Sequence, residues 1–319
     1  MGRIRRAALL LLAAALLALS GCAAGAEPAR HKVALVAKST HTEFWLSVFA
    51  GAEAAAAEYN LELTTMGPAT EEDYQAQNQM IAGAVANGAE ALVFSAIDFT
   101  ENAPAVDAAA QAGVKVVSID SGVSSEQVST YIGTDNYAAG RMAAQAALEE
   151  VEGPLTVGLV NYDESTANGQ ERERGVRDAL AESGRARVAA SVTTLVEAER
   201  ARADTADLLR NNPEVNVLIA FNEPTSVGAA QAVEELGLEE AVFLVGFDSN
   251  VATVDGLQEG SVDALIVQNP YAMGYLGVES AYQLLTGQAV EPTVDTSTQI
   301  VYRSNLFALD SQKALFAFE

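Results

Sequence analysis

Short apolar runs separated by long alanine-rich stretches recur from residue 33 almost to the end of this 319-residue chain. That alternation constrains the fold more than any other feature. Residues 33–37, 61–65, 91–95 and 114–119 are apolar runs bounded by turn-forming or polar residues, which predicts strands. Between them, residues 44–59 and 73–87 carry helical spacing, with Gly88 placed to stop the second helix. The pattern restarts at 155–160 and continues through 187–192, 215–220, 242–245 and 264–267. Continuous apolar strands separated by helices belong to parallel sheets covered on both faces. Two such series predict an α/β protein of two doubly wound parallel-sheet lobes. A weak internal echo agrees: Val116-Val117-Ser118-Ile119-Asp120-Ser121 and Leu244-Val245-Gly246-Phe247-Asp248-Ser249 are both apolar strands that end in Asp-Ser.

The N-terminus has a different character. Arg3, Arg5 and Arg6 precede an apolar stretch over residues 7–19, and small residues lead to Leu19-Ser20-Gly21-Cys22. This is the layout of an export signal, and it resembles a bacterial lipobox, in which the cysteine is lipidated and becomes the mature N-terminus. The stretch is shorter than the roughly 20 apolar residues a spanning helix needs. The expectation is a signal peptide over residues 1–21 and a lipid on Cys22. Residues 22–30 then form a tether that holds the protein outside the cytoplasm. Cys22 is the sole cysteine, so no disulfide forms within the chain.

Bulk charge excludes one class of partner. The formal net charge is −25, and a surface of that sign repels phosphate backbones, so nucleic-acid binding is not expected. His31 and His41 have no cysteine or carboxylate at ligand spacing, so no metal site and no cofactor are expected.

Ligands of open parallel sheets bind beyond the carboxyl ends of the strands. Those positions are Lys38, Asp120, Tyr162, Asn222, Asp248 and Gln268. Neighbouring helix starts add Thr42, Phe44 and Trp45, and Arg172 opens the helix after the loop over residues 161–169. Carboxylates, amides, a guanidinium and adjacent aromatics suit a polyhydroxylated ligand. Carboxylates accept hydroxyl protons, arginine and amides donate to oxygens, and aromatic faces cover C–H patches. Each residue also has a plainer use. The aspartates and Asn222 fit turn chemistry, Phe44 and Trp45 fit a core, and the run Glu171-Arg172-Glu173-Arg174 fits a solvated helix face. Their common placement at one topological edge favours a site.

From Lys32 to about Tyr302 the chain resembles the periplasmic sugar-binding proteins of the ribose-binding type, relatives of the lactose-repressor ligand core. The segments that carry the resemblance are Val33-Ala34-Leu35-Val36 with Phe44-Trp45; Tyr131-Ile132-Gly133-Thr134-Asp135-Asn136 with Gly140; Arg172-Glu173-Arg174-Gly175; Phe221-Asn222-Glu223; Val245-Gly246-Phe247-Asp248; and Gln268-Asn269-Pro270. The resemblance implies that Phe44 and Trp45 stack on a sugar, Asp120 and Asp248 bind hydroxyls, and Arg172 is the bidentate arginine. Asn222 and Gln268 match the family's amides, and Thr42 stands where an asparagine is usual. It also implies three crossings between lobes, with residues 31–134 and 269–295 in lobe one and 135–268 and 296–319 in lobe two. The tail over residues 305–319, with Leu306, Phe307, Leu315, Phe316 and Phe318, is expected to dock on lobe two.

Departures from the family pattern bear on the ligand. Lys38 replaces a small polar residue, Ser121 follows Asp120 where a second arginine is usual, and Leu195-Val196 supplies no aromatic for an opposite wall. A hexose, a pentose, a cyclitol and a sugar acid all stay open. Lys38 has two readings, contact with an anionic ligand or pairing with Asp120 or Asp248.

The implied function is a non-enzymatic, monomeric binding lipoprotein. It captures a monosaccharide or related polyol and delivers it to an ABC permease in the membrane. The alternative is a sensory protein that presents a sugar or an autoinducer-2-like signal to a sensor kinase or chemoreceptor. A repressor of the same fold would need a DNA-binding head where the export signal stands. A glycosidase would need two opposed catalytic carboxylates, positions that the resemblance assigns to binding.

Overall fold

Strands buried on both faces organise the chain, as continuous apolar runs require. The computed structural model describes residues 30–316. The export segment, Cys22 and Phe318 lie outside the described residues. In one six-stranded sheet, β1 (Lys32–Val36), β3 (Ala91–Phe94) and β4 (Lys115–Ile119) sit in the middle. β2 (Glu62–Met66) flanks them on one side, and β5 (Thr130–Gly133) and β11 (Thr293–Asp295) on the other. A second six-stranded sheet has the order β12 (Gln299–Tyr302), β10 (Ala264–Val267), β9 (Phe243–Phe247), β8 (Val217–Ala220), β6 (Leu155–Asn161) and β7 (Ala186–Thr193).

Helices cover both faces of each sheet. α1 (Glu43–Glu58) and α9 (Pro270–Leu285) bury Trp45, Val48, Val278 and Ala281 against β1, β3 and β4. α2 (Tyr74–Ala86) and α3 (Ala103–Gln111) place Ile81 and Val106 on the opposite face. Around the second sheet, α4 (Asn136–Glu150) and α5 (Ala167–Ser183) cover one face. α6 (Ala198–Asn211), α7 (Glu223–Leu236), α8 (Val251–Glu259) and α10 (Leu309–Leu315) cover the other. Leu306 and Leu315 of the tail are buried in that last layer.

The pairing is parallel except at one edge. β12 runs antiparallel to β10, with Ala264 opposite Tyr302, where the sequence suggested purely parallel lobes. The cause is the short link from β11, which runs parallel to β5 and points out of the first sheet. A parallel return needs a long crossover. The link instead turns at Ser297, whose φ is 63°, and β12 enters the second sheet from the open end. The chain passes between the sheets after β5, after β10 and after β11.

Two helix pairs cross through reciprocal glycines. A Cβ on Gly51 would lie 2.1 Å from the Tyr271 carbonyl oxygen, and one on Gly274 would lie 1.9 Å from that of Val48. The same reciprocal contact joins α4 and α5, where Gly140 faces the Arg172 carbonyl at 2.0 Å and Gly175 faces that of Tyr137 at 2.2 Å. The second crossing fixes where Arg172 leaves its helix.

Candidate functional site

All the sequence-predicted ligand residues line one cavity between the two sheets: Lys38, Thr42, Phe44, Trp45 and Asp120 from the first, Arg172, Asn222, Asp248 and Gln268 from the second and its flanks. Glu71, Tyr162, Asn168 and Glu223 join them. The walls meet closely and leave a cavity of about 30 Å³.

Asp120 and Asp248 reach it by the same local device. Each follows the last residue of a central strand and donates its backbone N–H to the neighbouring strand, Asp120 to Ile132 O and Asp248 to Ile266 O, both at 3.0 Å. Each then takes a left-handed backbone, with φ of 56° and 70°. That conformation is uncommon for a residue with a Cβ, though Asp tolerates it better than most. Hydroxyls hold the following carbonyls, Tyr131 OH donating to Asp120 O at 2.7 Å and Thr253 Oγ1 to Asp248 O at 3.2 Å. The turn aims each carboxylate into the cleft.

Around Asp120 the charge is matched within the protein. Lys38, only 1 % exposed, places Nζ 3.6 Å from Asp120 Oδ2. Ser95 Oγ donates to Asp120 Oδ2 at 2.9 Å, and Asn168 Nδ2 donates to Oδ1 at 3.2 Å. Asn168 Oδ1 accepts from Lys38 Nζ at 3.3 Å and from Tyr162 OH at 2.7 Å. Lys38 thus pairs with Asp120 and also lines the cavity. Lys38, Asp120 and Asn168 also bridge the two sheets.

Arg172 organises the other side. It is buried and lies over the Phe247 ring, with its guanidinium carbon 4.6 Å from the centroid. Nε donates to Asn136 Oδ1 at 2.8 Å, Nη1 to Phe221 O at 2.6 Å and Nη2 to Gln268 Oε1 at 2.8 Å. Gln268 Nε2 donates onward to Asp248 Oδ1 at 2.6 Å. Burial raises the Asp248 pKa, opposed by the charge of Arg172 and the Gln268 hydrogen bond. Arg174, two residues on, is instead exposed beside Glu171, so the charged run divides into one inward and one solvated arginine.

The aromatics and amides have mixed roles. Trp45 is buried in the first core and also lines the cavity, while Phe44 meets its ring at 5.1 Å and 85°. Thr42 caps α1 by accepting from Trp45 N at 3.4 Å. Asn222 caps α7, accepting from Thr225 N at 3.1 Å. For Asn222 the side-chain oxygen thus has the plainer, local use, although both residues also line the cavity.

Several residues were not anticipated. The Glu71 carboxylate accepts from Trp45 Nε1 at 2.7 Å, and burial pushes its pKa up to about 7. Glu223 reaches across the cleft and accepts from Phe44 N at 2.9 Å and Glu43 N at 3.3 Å, capping α1 from the opposite lobe. Glu43 in turn accepts from Val251 N at 3.3 Å, and Glu72 from Val196 N at 2.9 Å. Asn168 lies one helical turn before Arg172, a spacing that puts both on one face. Glu71 and Glu223 carried no comparable signal. Among the described residues no cluster of His, Cys, Asp and Glu could hold a metal ion.

Known proteins share this fold. A family model described as a periplasmic binding protein domain matches residues 33–289. The chain belongs to the periplasmic binding proteins. Over 276 residues it is 28% identical to a D-ribose/D-allose-binding protein of Pseudomonas aeruginosa, covering 84% of this chain and 86% of that protein. It is 25% identical to the ribose import binding protein of Escherichia coli, over 90% of this chain and 95% of the other. The structure of a carbohydrate transporter solute-binding protein from Agrobacterium radiobacter, in complex with D-arabinose, superposes with a TM-score of 0.87. The identity there is 29%, over 90% of this chain and 99% of that one. An ABC transporter solute-binding protein from Agrobacterium vitis with bound D-fucose gives 0.86 at 27% identity, over 89% and 99% of the two chains. Periplasmic binding proteins act outside the cytoplasm and bind their solutes without transforming them. Among the described residues, no helix of this one is long and apolar enough to cross a membrane.

Proposed function

We propose that this periplasmic binding protein captures one neutral, hydroxyl-rich ring, a monosaccharide or close relative, and hands it to an ABC importer. The observation that carries the reading is the convergence of Asp120, Asp248, Arg172 and Gln268 on one cavity from two facing sheets. Such groups accept and donate to vicinal hydroxyls with defined geometry, and an analogue lacking one hydroxyl leaves a buried partner unpaired at about 1–3 kcal/mol. The charge balance favours a neutral ligand over a sugar acid. Lys38 is committed to Asp120, and four carboxyl groups (Glu71, Asp120, Glu223 and Asp248) face two cations.

The cavity of about 30 Å³ holds little more than water. A ring therefore enters when the lobes part at the crossings near residues 133–135, 268–270 and 295–296, and the same side chains close over it. Closure over the ring brings the lobes back toward the hydrogen bonds that Glu223, Glu43 and Glu72 accept from backbone N–H groups across the cleft. A membrane permease then reads the closed shape of the monomer. A lipid on Cys22 would hold the binder beside that permease. Relatives named as import binding proteins favour delivery over presentation to a sensor kinase or chemoreceptor.

A thermal-shift screen against pentoses, hexoses, cyclitols and sugar acids tests this reading. Stabilisation by a neutral sugar is expected. Stabilisation by sugar acids alone would reverse the charge argument, and a silent screen would remove the sugar reading. Mass spectrometry of the N-terminal peptide of the membrane-extracted protein tests the anchor, with an unmodified Cys22 as the refuting result.

A further inference from the structure

Beside the polar cavity lies a larger one of about 360 Å³, within the range of small-molecule sites. Phe44, Glu223, Asp248 and Gln268 line both, so the two are neighbouring chambers of one cleft. The outer chamber is predominantly apolar, with Glu43, Ser47, Ser249 and Asn250 also in its lining. Leu46 comes from α1, Val251 and Val254 from α8, and Leu315 and Phe316 from the C-terminal tail. Leu46 is 54% exposed, Val251 66% and Phe316 40%, so large apolar side chains from both lobes and the tail show their surfaces to this one hollow. Concentration of exposed apolar surface in a concave place marks a binding site more than scattered exposure does.

Resting on the sugar reading, we propose that this chamber is a subsite for an apolar substituent carried by the bound ring. The ligand class is then a glycoside with an apolar aglycone, in preference to the free sugar. The gradient along the cleft argues for it. Carboxylates and an amide stand at the inner end, where hydroxyls are recognised, and hydrocarbon predominates at the outer end. A free monosaccharide leaves that hydrocarbon wet, whereas an aryl or alkyl group on the same ring covers it. At about 360 Å³ the chamber fits a small substituent and not a partner protein. The wall built by Leu315 and Phe316 belongs to the tail over residues 305–319.

The test is titration calorimetry with a panel of pentoses and hexoses, each as the methyl and the 4-nitrophenyl glycoside in both anomers. For the sugar that binds, the aryl glycoside is expected to bind about tenfold or more tightly than the methyl glycoside. The Leu46→Ser/Val251→Ser double variant is expected to lose that gain and keep methyl-glycoside affinity. Equal or weaker binding of the aryl form by the unaltered protein overturns the proposal and leaves the sugar reading intact. A gain that persists in the double variant also overturns it, because the aryl group then sits elsewhere. A gain seen only after deletion of residues 317–319 makes the chain's own end the occupant and overturns it as well. No binding of any sugar in either form removes the sugar reading, and this proposal with it.

Discussion

Asp120 and Asp248 occupy matching places in the two lobes and end in different electrostatic surroundings. Both extend a central strand by one hydrogen bond, both adopt a left-handed backbone, and both have the following carbonyl held by a hydroxyl. Asp120 meets a buried ammonium, a serine hydroxyl and an amide. Asp248 meets an amide that Arg172 also holds, and burial raises its pKa. The backbone device is thus a feature of the fold, while the side chains around it divide the labour. Asp120 is neutralised by the protein and helps fasten the lobes together. Asp248 sits where the two chambers meet and is the better placed of the two to recognise a ligand hydroxyl.

The strongest test of this division is Lys38→Met. A buried carboxylate that loses its cation costs about 3–5 kcal/mol, so thermal or urea unfolding without ligand should show a loss of that order. Adding Asp120→Asn should recover much of it in a double-mutant cycle. If the two substitutions are instead additive, Lys38 and Asp120 are not an energetic pair. Asp248→Ala should divide its effect differently, costing the unliganded fold less than Lys38→Met does and weakening sugar binding by about 2–4 kcal/mol, read by calorimetry. Sugar-induced stabilisation that survives Asp248→Ala would show that the two aspartates do not differ as argued.

How far the sequence reveals these differences depends on what positions each residue. Both aspartates and Gln268 follow apolar runs, so strand periodicity alone brings them to one edge; Arg172 lies in the second turn of α5, which starts at Ala167 and so earlier than the sequence suggested. The central strands were legible for the same reason. β5, β11 and β12 were not, because these strands of three and four residues toward the sheet edges carry no continuous apolar run. The antiparallel course of β12 follows from chain direction at the crossing, which no local pattern records. Partners across the cleft were the hardest to read. Asn168 was available from its spacing to Arg172. Glu71 lies in a loop, and Glu223 reads as an ordinary acid in the first turn of a helix. Its role depends on the backbone of α1, contributed by the other lobe.

The two glycine crossings extend the comparison to helices. A Cβ at Gly51 or Gly140 meets a carbonyl oxygen near 2 Å, and forced separation of packed elements costs typically about 1–3 kcal/mol. Both Gly51→Ala and Gly140→Ala should therefore lower the melting temperature. Only Gly140→Ala should also weaken sugar binding, since the displaced carbonyl belongs to Arg172. Equal affinities in the two variants would mean that the α4–α5 crossing does not set the guanidinium.

The smallest expected effect comes from Glu71, and its sign is specific. Its pKa stands at about 7 in the folded protein because burial disfavours the charged form, against an ordinary value of 4.5. The folded state therefore holds more protons than the unfolded state between those values, so this group makes stability fall as pH rises through that window. Below it both states are protonated and the penalty is absent; above it the penalty is complete. Glu71 is only partly buried by exposed surface area, and water access reduces the cost to about 1–2 kcal/mol. Glu71→Gln keeps an acceptor for Trp45 Nε1 and removes the titration. Denaturation at pH 5 and pH 8 should show the variant gaining on the parent by that amount at the higher pH. An unchanged difference between the two pH values would place the Glu71 carboxylate in water and leave Lys38 and Asp120 as the charge pair that governs the first lobe's side of the cleft.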